Sequence, residues 1–116
     1  MYKIVTLSRR KSGMTQEEFS KYWSEVHGAM ILKMVPAAVQ SRIKRYAQYP
    51  AAEIKGRRQP YDGVAEFCFE DFDSLLAWSN YYKSDESKAL RDDQAMFTDL
   101  STVVTVITEE KVIIGK

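Results

Sequence analysis

The stretch Thr15–Met34, TQEEFSKYWSEVHGAMILKM, constrains the fold more than any other part of the chain. Thr15 and Glu18 have the spacing of a capping box, in which the threonine oxygen accepts from an early backbone N–H and the glutamate reaches back. Phe19, Tyr22, Trp23, Val26, Met30 and Met34 then recur every three or four residues and lay one apolar stripe along a helix. A helix so striped must pack on a larger apolar surface. It carries there His27, the only histidine in the chain, with Gly28 beside it leaving room for a close approach. His27 is either a boundary residue whose ring nitrogens find a carbonyl and water, or a proton-handling group in a cavity, since its unperturbed pKa lies near ~6.5. Spacing leaves both open.

The rest of the chain supplies that surface. Tyr2 to Arg9 reads as a strand with β-branched and apolar residues on both faces. Lys11-Ser12-Gly13-Met14 turns into the capped helix, which should fade near Val35-Pro36. Ser41 to Tyr49 is a second strand, with Ile43, Arg45, Ala47 and Tyr49 on one face and Arg42, Lys44, Tyr46 and Gln48 on the other. A polar loop, Pro50 to Tyr61, and an Asp62-Gly63 turn lead to a third strand, Val64 to Phe69. Asp71 or Asp73 caps a second helix through Leu75, Leu76, Trp78 and Tyr81-Tyr82, and a short helical run follows from about Glu86 to Met96. Ser101 to Glu109 is the last strand, and Val112-Ile113-Ile114 trails as an apolar tail. Strand, helix, strand, strand, helix, strand with right-handed crossovers gives an α+β domain: a ferredoxin-like split βαβ, βαββαβ, with a four-stranded antiparallel sheet and both main helices on one face. The uncovered face is also apolar, so a homodimer packing two sheets face to face is expected.

Composition removes several function classes. The 116 residues fit one domain, and 17 Lys and Arg against 16 Asp and Glu leave a net charge of +1, with no global field for nucleic acid or an anionic membrane. Arg9-Arg10-Lys11 and Lys55-Gly56-Arg57-Arg58 are local loop clusters without interleaved aromatics. No apolar run is long enough to span a bilayer, and Met1-Tyr2-Lys3 leads straight into a strand rather than a signal peptide. A single cysteine, Cys68, forbids an intrachain disulfide and favours a reduced, cytoplasmic setting. One cysteine and one histidine cannot build the common zinc sites, and five scattered glycines make neither a phosphate loop nor a dinucleotide fingerprint. Cys68 sits between Phe67 and Phe69 and reads as an inert core residue rather than a thiolate partner of His27.

Glu66, in Val64-Ala65-Glu66-Phe67, is a carboxylate in the middle of a strand with apolar neighbours, so it needs a partner or a proton. His27, Arg45 and Tyr46 are the candidates. Either it is a structural pair holding helix to sheet or protomer to protomer, or it orients and charges His27 for acid–base chemistry.

Phe19, Tyr22, Trp23 and Val26-His27-Gly28, followed by Tyr61-Asp62-Gly63-Val64-Ala65-Glu66, Phe69 and Phe97-Thr98-Asp99-Leu100, resemble the pattern of EthD-type proteins across nearly the whole chain. That resemblance implies the dimeric α+β barrel fold, a pocket between sheet and helices, and family positions at Trp23, His27, Asp62, Glu66 and Asp99. EthD itself is tied to alkyl-ether degradation. The wider superfamily includes methylmuconolactone isomerases, polyketide cyclases and anthrone-type dehydratases or decarboxylases, mostly working without metal or organic cofactor. The expectation is therefore a cofactor-free enzyme moving a proton on a small, largely apolar oxygenated ring or carbonyl compound. His27 is its base or acid, Glu66 the orienting partner, and Tyr46 or Arg45 a donor to a developing enolate. Trp23, Met30, Phe67, Trp78 and Phe97 form apolar walls. Two alternatives stand beside it: a non-catalytic dimeric binding protein for a hydrophobic metabolite, and a monooxygenase, with or without haem on His27.

Overall fold

The computed structural model describes residues 1–115, in the order β1 (Tyr2–Arg10), α1 (Gln16–Tyr22), a π-turn (Trp23–His27), α2 (Gly28–Met34), α3 (Ala37–Gln40), β2 (Arg45–Pro50), β3 (Gly63–Phe69), α4 (Phe72–Lys83), a 3₁₀ turn (Asp85–Ser87), α5 (Lys88–Gln94) and β4 (Thr98–Glu109). The four strands form one antiparallel sheet in the order β2-β3-β1-β4. The expected α+β, βαββαβ architecture is present. Among the described residues no helix is long and apolar enough to cross a membrane.

Local chemistry sets the elements. Thr15 accepts from the Glu18 N–H at 3.1 Å, and its own N–H donates to the Glu18 carboxylate at 2.9 Å, closing the capping box. Asp71, rather than Asp73, caps α4 by accepting from the Ser74 N–H at 2.8 Å. The second strand begins at Arg45, four residues later than the alternation suggests, because Pro36 starts the short α3 and Ser41–Lys44 turn the chain back toward β3. The last strand begins at Thr98 and bulges. Leu7 pairs with Val104 but Arg9 with Asp99, and the extra β4 residues are tied by Asp99 to Ser101 and by Thr102 to the Arg9 N–H.

Alternation along the sheet sorts the residues. Ile4, Phe67 and Phe69 face the helices and pack with Ile31, Leu75, Trp78 and Leu90 in the main core. Phe19, Trp23 and Phe97 make a second buried cluster at the other end of the helix layer. The opposite face carries Val5, Leu7, Val64, Ala47, Val104 and Val106 around a charged centre, and among the described residues no helix covers it. Val104 and Val106 there are 44% and 47% exposed.

Gly63, at the start of β3, is where sheet and helix touch most closely. A Cβ added there would stand 2.7 Å from the Trp23 ring and 3.0 Å from Phe19. Gly63→Ala should therefore cost about 1–3 kcal/mol through overpacking, seen as a lower urea midpoint at unchanged slope. An unchanged midpoint would show that the two rings yield freely.

Candidate functional site

A cavity of about 400 Å³ opens between the helix-facing side of the sheet and the helices. Trp23, Phe67, Trp78 and Phe97 form apolar walls, and His27 and Tyr46 bring polar atoms into it. Phe67 stacks between Tyr46 and Trp78, with centroids 4.4 Å away on each side. The His27 ring leans on Phe97 at 5.2 Å. Six of the eleven residues expected at a site thus converge, and this settles which strand face meets the helices.

The other five lie elsewhere, each for a physical reason. Glu66 falls between Ala65 and Phe67, so its side chain leaves the sheet on the opposite face from His27. It meets Lys3 at 3.5 Å and Arg45 at 3.8 Å, and the Cys68 thiol donates to it at 3.3 Å. It therefore does not orient His27 within the protomer, and Arg45 on the same open face is no donor to the cavity. Asp62 accepts from the Arg10 backbone N–H and guanidinium, both at 2.8 Å, and anchors the loop before β3 to β1. Asp99 folds the β4 bulge. Met30 packs against the main core without lining the cavity.

The partner of His27 is Asp93 on α5, a residue that sequence reasoning passed over. Asp93 lies at 3.0 Å from His27 Nδ1 through one oxygen and accepts from the Tyr22 hydroxyl at 2.6 Å through the other. Its only sequence signal was negative charge on a short polar helix, KALRDDQ, which any solvated helix shows. With Nδ1–H donated to Asp93, Nε2 is the acceptor nitrogen, and it has no protein partner among the described residues. Burial pushes the His27 pKa below its ordinary 6.5 and outweighs Asp93, which acts to raise it. The ring is therefore neutral at pH 7, with a free lone pair.

Tyr46 stands ready as a donor. Burial raises its pKa, with the hydrogen bond from the Gln48 amide acting the other way, so it remains a phenol. Tyr82 at the cavity wall is raised by burial as well and donates to Gln94 at 2.7 Å. Cys68 is buried, and burial pushes its thiol up, the opposite of what a nucleophile needs. Among the described residues no group of three His, Cys, Asp or Glu side chains converges as a metal site. Haem iron could approach His27 only through Nε2, since Nδ1 is committed to Asp93.

This sheet, with helices on one side and an aromatic cavity between, defines a ferredoxin-like α+β protein. The EthD domain model matches residues 11–101, and the chain belongs to the EthD family. No curated protein matches it. Among solved structures, an EthD family protein from Bacillus halodurans superposes with a TM-score of 0.67 at 17% identity, covering 96% of this chain and 99% of that one. A dimeric ferredoxin-like protein from Thermobifida fusca gives 0.58 at 17% identity, covering 92% and 88%. The hydroxynitrile lyase from Passiflora edulis gives 0.63 at 10% identity, covering 98% and 96%. At such identities the likeness is one of fold.

Because His27 is the only histidine, its titration is directly visible as a single imidazole signal in NMR. Its pKa should lie below 6.5 and fall further in Asp93→Asn, which removes the carboxylate that favours the charged ring. Between the folded and unfolded pKa values the unfolded chain binds more protons, so stability rises with pH across that window. That stability should accordingly begin to fall once pH drops below about 6.5 and be fully lost below the lowered folded pKa. A His27 pKa at or above 6.5 would contradict the balance described here.

Proposed function

We propose that the chain is a homodimeric, cofactor-independent enzyme that moves a proton on a small, largely apolar oxygenated compound. One observation carries this: a neutral imidazole, held by Asp93 with Nε2 free, lines the same aromatic cavity as the partly buried phenol of Tyr46. Nε2 of His27 takes a proton from carbon or oxygen next to a carbonyl. Asp93 holds the ring in the required tautomer and stabilises the imidazolium that forms. Tyr46 donates to the oxygen on which charge develops, and the walls of Trp23, Phe67, Trp78 and Phe97 keep water from competing. Acceptor, positioning group and donor all come from this chain. The likeness in fold to a protein named as a hydroxynitrile lyase is consistent with it. The single buried cysteine suits a reducing cytoplasm.

The dimer rests on the open sheet face. Val104 and Val106 on it are left 44% and 47% exposed; exposed apolar surface on a sheet face favours a partner, and a twofold axis satisfies it without open-ended growth. The tail residues Ile113 and Ile114, 88% and 94% exposed, can add to that contact.

The proton-transfer role is tested with 2-tetralone, an enolisable bicyclic ketone, by following solvent deuterium entering its acidic CH₂ in NMR. The protein should speed exchange over buffer, and His27→Ala should slow it by ~10²–10⁴-fold. The rate per enzyme should rise with pH through the lowered His27 pKa, because only the neutral ring accepts a proton. Exchange no faster than buffer, or undiminished in His27→Ala, would refute the role.

For the dimer, sedimentation at low micromolar concentration should give twice the 13.4 kDa chain mass. Val106→Asp should shift it toward that single mass. A wild-type monomer would refute the assembly.

A further inference from the structure

Behind Tyr46 lies a small network that the proton-transfer chemistry does not itself use. The Gln48 amide nitrogen donates to the Tyr46 hydroxyl oxygen at 2.8 Å and to the Trp23 backbone carbonyl at 3.1 Å. The Trp23 carbonyl is the one that accepts the i→i+5 bond from the Gly28 N–H in the π-turn. The orientation of the amide is forced: its oxygen in that place would face a carbonyl oxygen, so the NH₂ must point there. Gly28 packs against it: a Cβ at that position would come into ordinary contact with the Gln48 nitrogen at 3.4 Å and the Trp23 oxygen at 3.5 Å. Gln48 thus spends both amide hydrogens, one on the π-turn and one on the phenol.

The consequence concerns hydrogen-bond polarity. The Tyr46 oxygen is engaged as an acceptor, and its O–H donates to no protein atom among the described residues. His27 Nε2 is an acceptor for the corresponding reason on the other side. We infer that Gln48 is a positioning residue that turns the Tyr46 O–H into the cavity as an obligate donor, so that the site selects compounds presenting a carbonyl-type acceptor oxygen there. The inference rests on the cavity being the ligand site proposed above. A ligand with a carbonyl oxygen toward Tyr46 and an acidic C–H or O–H toward His27 satisfies both groups. One offering only a donor to Tyr46 leaves the phenol without a bond in a low-dielectric site.

The test compares two bicyclic probes of similar shape, 2-acetylnaphthalene and 2-ethylnaphthalene, which differ in the acceptor oxygen. Binding is read from quenching of Trp23 and Trp78, both cavity-lining. The key quantity is the preference for the ketone over the hydrocarbon. Relative to wild type, Tyr46→Phe should reduce that preference about tenfold, the size of one hydrogen bond in such a setting. Gln48→Glu should do the same: a protonated carboxyl donates to the Trp23 carbonyl and accepts from Tyr46, pulling the phenol proton out of the cavity. The two effects should not add in the double variant, since both delete the same donor. Gln48→Met keeps the shape and leaves the phenol free to rotate, so it should reduce the preference by less than Gln48→Glu. Thermal melts of each variant establish that it is folded.

A ketone preference unchanged in Gln48→Glu would overturn the inference, as would losses that add in the double variant, or failure of wild type to bind either probe. His27-dependent exchange of 2-tetralone with an unchanged preference would sink the polarity inference alone. The expected preference without exchange would sink proton transfer alone.

Discussion

The hydrogen bond between Asp93 and His27 is the interaction on which the site depends. It joins α5 to the π-turn, and with the Tyr22 bond it gives each carboxylate oxygen one donor at 3.0 and 2.6 Å. A buried carboxylate facing a buried imidazolium would carry a double desolvation cost. Here the cost falls on Asp93 alone, because burial keeps the ring neutral. Asp93, accepting two good hydrogen bonds, can bear it. The ring then has one tautomer and one free nitrogen, and neither would be defined if Asp93 were absent.

The helix that brings His27 there is not a regular one, and the reason lies in its repeat. Its buried residues are Phe19, Trp23, His27 and Ile31, with Val35 just beyond, a strict spacing of four. On a helix of 3.6 residues per turn, each such step drifts about 40°, so four steps drift about 160°, enough to swing Val35 away from Phe19. The wide turn at Trp23–His27 adds one residue to the loop of hydrogen bonding and takes back about 100° of that drift. The π-turn therefore keeps the histidine and both flanking clusters over one face of the sheet. It also leaves the Trp23 carbonyl accessible to a side chain from β2, an opening that Gln48 fills.

That irregularity explains what was legible in the chain and what was not. The strand and helix order, the capping box and the aromatic walls follow from period, caps and turn residues, which are local. The stripe read at spacings of three and four assumes regular winding. It places Val26 inward, whereas Val26 is 40% exposed, and it passes over Ile31 and Val35, which are buried at 6% and 4%. Glu66 looked like a partner of His27 because both are polar residues among apolar ones, yet the pleat sends it to the other side. Asp93 could not be seen at all: its role comes from where α5 docks, and KALRDDQ has the composition of any surface turn of helix. Gln48 and Tyr46 were placed on one strand face together, but nothing in a sequence says which of two such neighbours donates.

The pleat that misdirected Glu66 also ties the two faces of the sheet to each other. Along β2, Tyr46 and Gln48 serve the cavity while Arg45, Ala47 and Tyr49 lie on the open face. Along β3, Ala65 and Phe67 alternate in the same way with Glu66 and Cys68. Any shift of these strands that accommodates a partner sheet is transmitted one residue away to the ring stack of Tyr46, Phe67 and Trp78. The charged centre of the open face resists such a shift. Glu66 is held between Lys3 and Arg45 and backed by the Cys68 thiol, so the strands that carry it, β1, β2 and β3, are pinned in register across that face. A carboxylate among valines costs solvation, and three polar neighbours offset it. Its contribution to the site is therefore indirect: it fixes the spacing of the strands whose opposite sides hold the phenol, its amide support and the aromatic walls.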